Sequence, residues 1–128
     1  MDDTFDRAGP PRARSRPVNM EEEAKPMTHR VEFLWFSDCP NHATTRELLA
    51  ATIDRVAPGT RIDDIDVTDP AVAESVLFPG SPTIRVDGRD IEPGFADPGD
   101  YTPRCRLYRT PAGLRGVPDP AWIEEALR

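Results

Sequence analysis

Hydrophobic positions first become regular at Val31. The run Val31-Glu32-Phe33-Leu34-Trp35-Phe36 is rich in β-branched and aromatic residues and predicts a buried central strand. Ser37-Asp38-Cys39-Pro40 follows, and then Leu48, Leu49, Thr52, Ile53 and Val56 recur at spacings of three and four. That stripe predicts a helix to about Val56. Pro40 opens it, because a missing N–H costs nothing in the first turn, and Pro58-Gly59 closes it. Ile62, Ile65 and Val67 mark a second strand. Asp69-Pro70 opens a short helix to about Phe78, with Asp69 as N-cap. Pro79-Gly80-Ser81-Pro82 is a tight turn, and Thr83-Ile84-Arg85-Val86 alternates as a strand. Asp87-Gly88 signals a type I′ hairpin, with Asp90-Ile91-Glu92 returning as a short charged edge strand. A Pro/Gly/Asp loop covers roughly residues 93–104. Cys105-Arg106-Leu107-Tyr108 reads as a further short strand. Pro118-Asp119-Pro120 starts a last helix through Trp122, Ile123, Ala126 and Leu127. The order is therefore β-α-β-α-β-β, a loop and a helix, without internal repeats. It predicts an α/β domain with a central mixed four-stranded sheet flanked on both faces by helices. Strands separated by helices should run parallel, and the hairpin should add an antiparallel edge.

Composition narrows the function. A chain of 128 residues is enough for one domain and too short for two ordinary ones. Its apolar runs are only a few residues long, which excludes a membrane-spanning helix. The net charge of −7 argues against nucleic acid as a partner, since phosphate binding needs a basic face. Residues 1–30 hold four prolines, with six acidic residues balancing six basic ones, so the whole excess lies in residues 31–128. This N-terminal tail shows no apolar period and reads as disordered, with His29 at its junction given no role. No apolar segment follows its arginines, so it is not a secretory signal. Met1, Met20 and Met27 all lie in it, which suggests translation from Met20 or Met27. The expected compartment is the cytoplasm. Two cysteines in a reducing cytosol point to catalysis, redox chemistry or metal binding rather than to a structural staple.

Two segments carry a family resemblance. One places a cysteine at a strand-to-helix junction, Trp35-Phe36-Ser37-Asp38-Cys39-Pro40-Asn41-His42. The other opens the hairpin with a proline, Gly80-Ser81-Pro82-Thr83-Ile84. With the element order, residues 31–128 resemble the thioredoxin-like superfamily. Phe78–Pro93 and Cys105-Arg106-Leu107-Tyr108-Arg109 look more closely like small bacterial thioredoxin family proteins, some of which are called alkylmercury lyase through association with mercury-resistance genes. The resemblance implies a thioredoxin-like fold and a cis Pro82 facing the active cysteine. It also implies a Ser81 backbone that can pair with an extended thiol substrate. The dithiol Cys-x-x-Cys is absent, because His42 stands where the resolving cysteine would. An ordinary cycle within one motif is therefore impossible. No segment resembles the catalytic cysteine and aspartate motifs of organomercurial lyases, so that activity is not carried over.

At a helix start, Cys39 would gain roughly 0.3–1 kcal/mol as an anion from the helix dipole, and such positions lower thiol pKa values. On the expected helix His42 shares a face with Cys39 and could stabilise its thiolate or accept its proton. The loop after the hairpin would bring Cys105 near the site. A Cys39–Cys105 disulfide with Cys105 resolving is one reading, and a buried strand cysteine is the other. Arg104, Arg106 and Arg109 suit a carboxylate such as glutathione's, or are solvated loop charges. Asp63, Asp64 and Asp66 lack a calcium-loop pattern and read as solvated. Trp35 and Trp122 read as core. Three functions follow. The first is a thiol–disulfide oxidoreductase with Cys39 as nucleophile and Cys105 or an external thiol such as glutathione resolving. The second is a soft-metal protein of a mercury- or metal-resistance system, using Cys39, His42 and Cys105. The third is an interaction module without chemistry. No cofactor and no resident metal are assigned to the favoured reading.

Overall fold

The computed structural model describes residues 29–128. The expected tail disorder and the alternative start methionines fall almost wholly outside them. Nine elements follow in order: β1 Val31–Trp35, α1 His42–Val56, β2 Ile62–Asp66, α2 Pro70–Ser75, β3 Thr83–Val86, β4 Arg89–Asp90, β5 Tyr108–Thr110, β6 Gly113–Arg115 and α3 Pro120–Ala126. Among the described residues no helix is long and apolar enough to cross a membrane.

The first four strands form one mixed sheet in the order β2-β1-β3-β4. β1 pairs in parallel with β2, Val31 opposite Ile62 and Trp35 opposite Asp66. It pairs antiparallel with β3, Val31 opposite Val86 and Leu34 opposite Thr83. The expectation that helix-separated strands run parallel thus holds for β1 and β2 and fails for β3. The physical reason is the shortness of α2. A six-residue helix spans about 9 Å, against about 17 Å for a five-residue strand. The remaining linker is consumed by caps and a turn, so the chain re-enters the sheet at the end it left. β3 and β4 form the expected hairpin, with Asp87 and Gly88 both at positive φ (55° and 83°), as a type I′ turn requires.

Alternation along β1 sorts the core into two layers. Val31 and Phe33 join Leu49 and Ile53 of α1, Ile84 and Val86 of β3, and Ile123 and Leu127 around α3. Leu34 faces the other way, onto Val67, Ala73 and Phe78 around α2. Both short helices begin with Asp-Pro. Asp69 and Asp119 each accept a hydrogen bond from the N–H two residues on, at 2.8 and 2.9 Å, which satisfies a first-turn donor.

The structure corrects the reading in three further places. Residues 108–115 form a separate two-stranded hairpin, Tyr108 opposite Arg115, which the apolar pattern does not signal because β6 is wholly exposed. His29 and Arg30, assigned to the tail, are held on the β3–β4 turn. His29 Nδ1 lies 2.7 Å from Asp87 Oδ2, and the Arg30 N–H donates to Asp87 Oδ1 at 2.9 Å. Those bonds, the Arg30 N–H first, keep the Asp87 carboxyl below the usual range. Asp64 likewise carries a bidentate bond from Arg46, at 2.9 and 2.8 Å.

Thr45 lies on the buried face of α1, and among the described residues its hydroxyl has no partner. A buried hydroxyl without a hydrogen bond costs roughly 1–3 kcal/mol. Thr45→Val keeps the shape and should raise stability by about 1 kcal/mol, read as a higher denaturation midpoint at unchanged slope.

Candidate functional site

The site is built where the chain leaves β1. Cys39 N–H turns back to donate to the Phe36 carbonyl at 3.1 Å. Ser37 N–H donates to Thr68 Oγ1 at 3.1 Å, and Phe36 N–H to Ser81 Oγ at 3.4 Å. The loop is therefore tied to β2's exit on one side and β3's approach on the other. Helix α1 begins at His42 with Asn41 as cap, two residues later than the expected start at Pro40. The backward turn at Cys39 and the non-helical Asn41 (φ −102°, ψ 0°) account for the delay. Cys39 thus stands ahead of the cap rather than within the first turn, where the dipole acts most strongly. It is only 3% exposed.

His42 is the first residue of α1. Its ring stacks on Trp35 with centroids 4.7 Å apart. It lies on the β2 side, near Asp66, whose carboxyl is lowered first by the Thr68 hydroxyl, then by the Thr68 N–H, with the His42 charge adding to this. Among the described residues no hydrogen bond joins His42 to Cys39.

Cys105 is brought in by backbone pairing. Ser81 N–H donates to the Arg104 carbonyl at 2.8 Å, and Arg106 N–H donates to the Ser81 carbonyl at 3.0 Å, forming an isolated parallel bridge between Ser81 and Cys105. The Ser81–Pro82 peptide bond is cis. The Ser81 backbone, expected to receive an extended substrate, is thus engaged by the chain's own segment 104–106. Both cysteines are free thiols, Cys39 buried and Cys105 exposed. Desolvation at its sulfur, then the charge and hydrogen bonding of neighbouring Cys39, push the Cys105 thiol above its ordinary range.

Arg106 anchors this segment. Its Nη1 donates to Asp90 Oδ2 at 2.7 Å and to Thr83 Oγ1 at 2.8 Å, and its Nη2 to Asp90 Oδ1 and Glu92 Oε1, both at 2.9 Å. The guanidinium lies 4.1 Å from the centroid of the Tyr108 ring, a cation–π contact. Burial opposes its charge, but Asp90, Glu92 and the neighbouring Tyr108 hold the guanidinium firmly protonated. The carboxylates that Arg106 binds are therefore internal, which removes it from the expected set of external carboxylate ligands. Tyr108 is fully buried and its hydroxyl donates to the Pro82 carbonyl. Gly80 permits the close approach: a Cβ there would lie 2.6 Å from Arg106 Cβ, and its φ is +132°.

Gly80, Asp90, Glu92 and Tyr108 escaped the sequence reading. A usable signal existed, since Asp90 and Glu92 alternate along one edge and Arg106 on the later segment carries the opposite charge. Arg104 and Arg109 remain at a cleft of about 400 Å³, with Glu92, Phe95, Cys105 and Leu107 in its wall. A groove of the same volume, lined by residues including Leu48, Pro111, Val117 and Pro120, holds neither cysteine. Among the described residues no three His, Cys, Asp or Glu side chains are grouped to hold a metal ion, so Cys39, His42 and Cys105 do not form the donor set of the metal reading. Comparison of the chain with protein-family models, curated proteins and solved structures finds no match.

Two outcomes follow from this geometry. Arg106→Leu strands two carboxylates and should cost about 3–5 kcal/mol, the usual penalty for breaking a buried ion pair, measured by chemical denaturation. The raised Cys105 thiol stays protonated through neutral pH, so its iodoacetamide alkylation should climb only above the ordinary thiol range. In Cys39→Ser the inflection should move down part of the way, because the neighbouring sulfur's charge is gone while desolvation remains. Peptide mass spectrometry against pH reads both.

Proposed function

We propose that the chain is a thioredoxin-like thiol–disulfide oxidoreductase that cycles between a Cys39/Cys105 dithiol and a Cys39–Cys105 disulfide. The observation that carries this reading is the backbone bridge between Ser81 and Cys105, supported by Cys39 being one of the groups that raise the Cys105 thiol. The parallel β1-α1-β2 unit, the antiparallel β3–β4 hairpin and the cysteine after the first strand support a thioredoxin-like arrangement.

The pair replaces the missing Cys-x-x-Cys with two cysteines far apart in sequence. His42 stacks on Trp35, and the proposed cycle runs on the two sulfurs without it. Electrons enter and leave as thiols, so the reaction needs no bound cofactor. Arg104 and Arg109, at the cleft containing Cys105, suit the carboxylates of an external thiol such as glutathione. A reducing cytoplasm would return the pair to the dithiol. The soft-metal alternative is weaker, since among the described residues no three His, Cys, Asp or Glu side chains are grouped to hold a metal ion.

Mild oxidation with diamide should lower the mass of the chain by about two units, one disulfide's worth of hydrogen, and protect both thiols from iodoacetamide. Reduced glutathione should reverse the change. Turnover of a small disulfide should fall roughly 100-fold in Cys39→Ser and in Cys105→Ser, as for members of one catalytic unit. Absence of the disulfide, with both thiols alkylated freely after diamide, overturns the reading in favour of a module without redox chemistry.

A further inference from the structure

The two sulfurs differ in access. Cys39 is 3% exposed, whereas Cys105 is exposed and lines a cleft of about 400 Å³ with Pro79, Phe95, Arg104, Leu107 and Arg109. That volume suits a small molecule. The route for an extended polypeptide is already filled. Strand addition needs free backbone groups at an edge, and the N–H and C=O of Ser81 both bond residues 104–106. Arg106, gripped by Asp90, Glu92 and Thr83, holds that segment down.

Building on the proposed redox function, we propose that Cys105, not Cys39, is the sulfur that exchanges with solution, and that its partner is a low-molecular-weight thiol rather than an extended polypeptide. This reverses the roles expected from the sequence. Starting from the disulfide, an incoming thiolate bonds to Cys105 Sγ. The Cys39–Cys105 bond breaks, and its electron pair leaves on Cys39 Sγ, which takes up a proton released by the incoming thiol. A second small thiolate then attacks the non-protein sulfur of the mixed disulfide. It releases the oxidised small disulfide and the Cys105 thiolate, which takes up a proton. Two small thiols are oxidised and one protein disulfide is reduced. The opposite order would require attack on a buried sulfur and expulsion of Cys105. A thiol of raised pKa leaves more slowly, and Cys105 is the raised one.

The test uses full-length Cys39→Ser and Cys105→Ser with 2-hydroxyethyl disulfide, the mixed disulfide being followed by mass spectrometry. Cys39→Ser should form it on Cys105 at least roughly ten-fold faster than Cys105→Ser forms it on Cys39, because thiol–disulfide exchange rates follow access. Equal rates, or faster reaction at Cys39, overturn the assignment. Cys39→Ala repeats the measurement should serine unfold the buried site. An unstructured peptide carrying a cysteine disulfide should react more slowly with Cys39→Ser than 2-hydroxyethyl disulfide does, and equal or faster reaction overturns the small-thiol assignment. Oxidation of the wild-type chain to its internal disulfide is scored separately. Its failure defeats the redox reading itself, whereas reversed variant rates defeat only the assignment of roles.

Discussion

Two backbone hydrogen bonds at Ser81 determine where the second cysteine sits, and a single buried arginine keeps them in place. Without Arg106 the loop after β4 would be a surface excursion of prolines, glycines and acids with little apolar area to hold it. The guanidinium changes that balance by meeting two carboxylates from the hairpin edge, a threonine hydroxyl from β3 and the face of Tyr108. Each charged group is hydrogen-bonded, and the excess negative charge is spread over Glu92, which also accepts from the Arg109 N–H, so burying the cluster is tolerable. The arrangement also fixes register, because only one position of the segment satisfies all the donors at once. Sheet edge, loop and candidate site thereby become one mechanical unit.

The same unit explains why the sulfurs are unlike. Cys39 is delivered by a loop tied at both sides, to Thr68 and to Ser81, and it points into the molecule. Cys105 rides on the segment that covers that region, and it faces outward. In the proposed chemistry the outward sulfur receives the attack and the inward sulfur accepts the departing electrons. Burial keeps an outside molecule from reaching Cys39, whereas departure from the disulfide needs no such approach. The asymmetry is therefore useful, although it inverts the arrangement suggested by reading Cys39 as the first residue of a helix.

Much of the architecture was legible because it rests on local chemistry. Asp87-Gly88 marks its turn by backbone freedom, Asp69-Pro70 and Asp119-Pro120 mark helix starts by capping, and the β1 run marks a strand packed on both faces. What stayed hidden depends on partners distant in sequence. The antiparallel entry of β3 follows from the length of α2 relative to a strand, which apolar spacing does not convey. The internal use of Arg106 requires knowing that Asp90 and Glu92 lie across from it. The late start of α1 turns on a reversal of three residues, too short to leave a periodic trace. For the site, Cys39 and Cys105 stood out in the sequence as the two thiols, whereas the access of each was legible only once the covering segment was placed.

Gly80 has a consequence of its own. Its missing side chain is the clearance through which residues 104–106 lie flat on Ser81. One added methyl would act as a wedge, lifting the covering segment while leaving both thiols and the arginine chemically intact. Such a chain would separate two properties that the native protein fuses, the possession of two thiols and the covering of one by the segment that bears the other. The seating of residues 104–106 is thus governed by an atom that is not there, at a residue with no chemistry of its own.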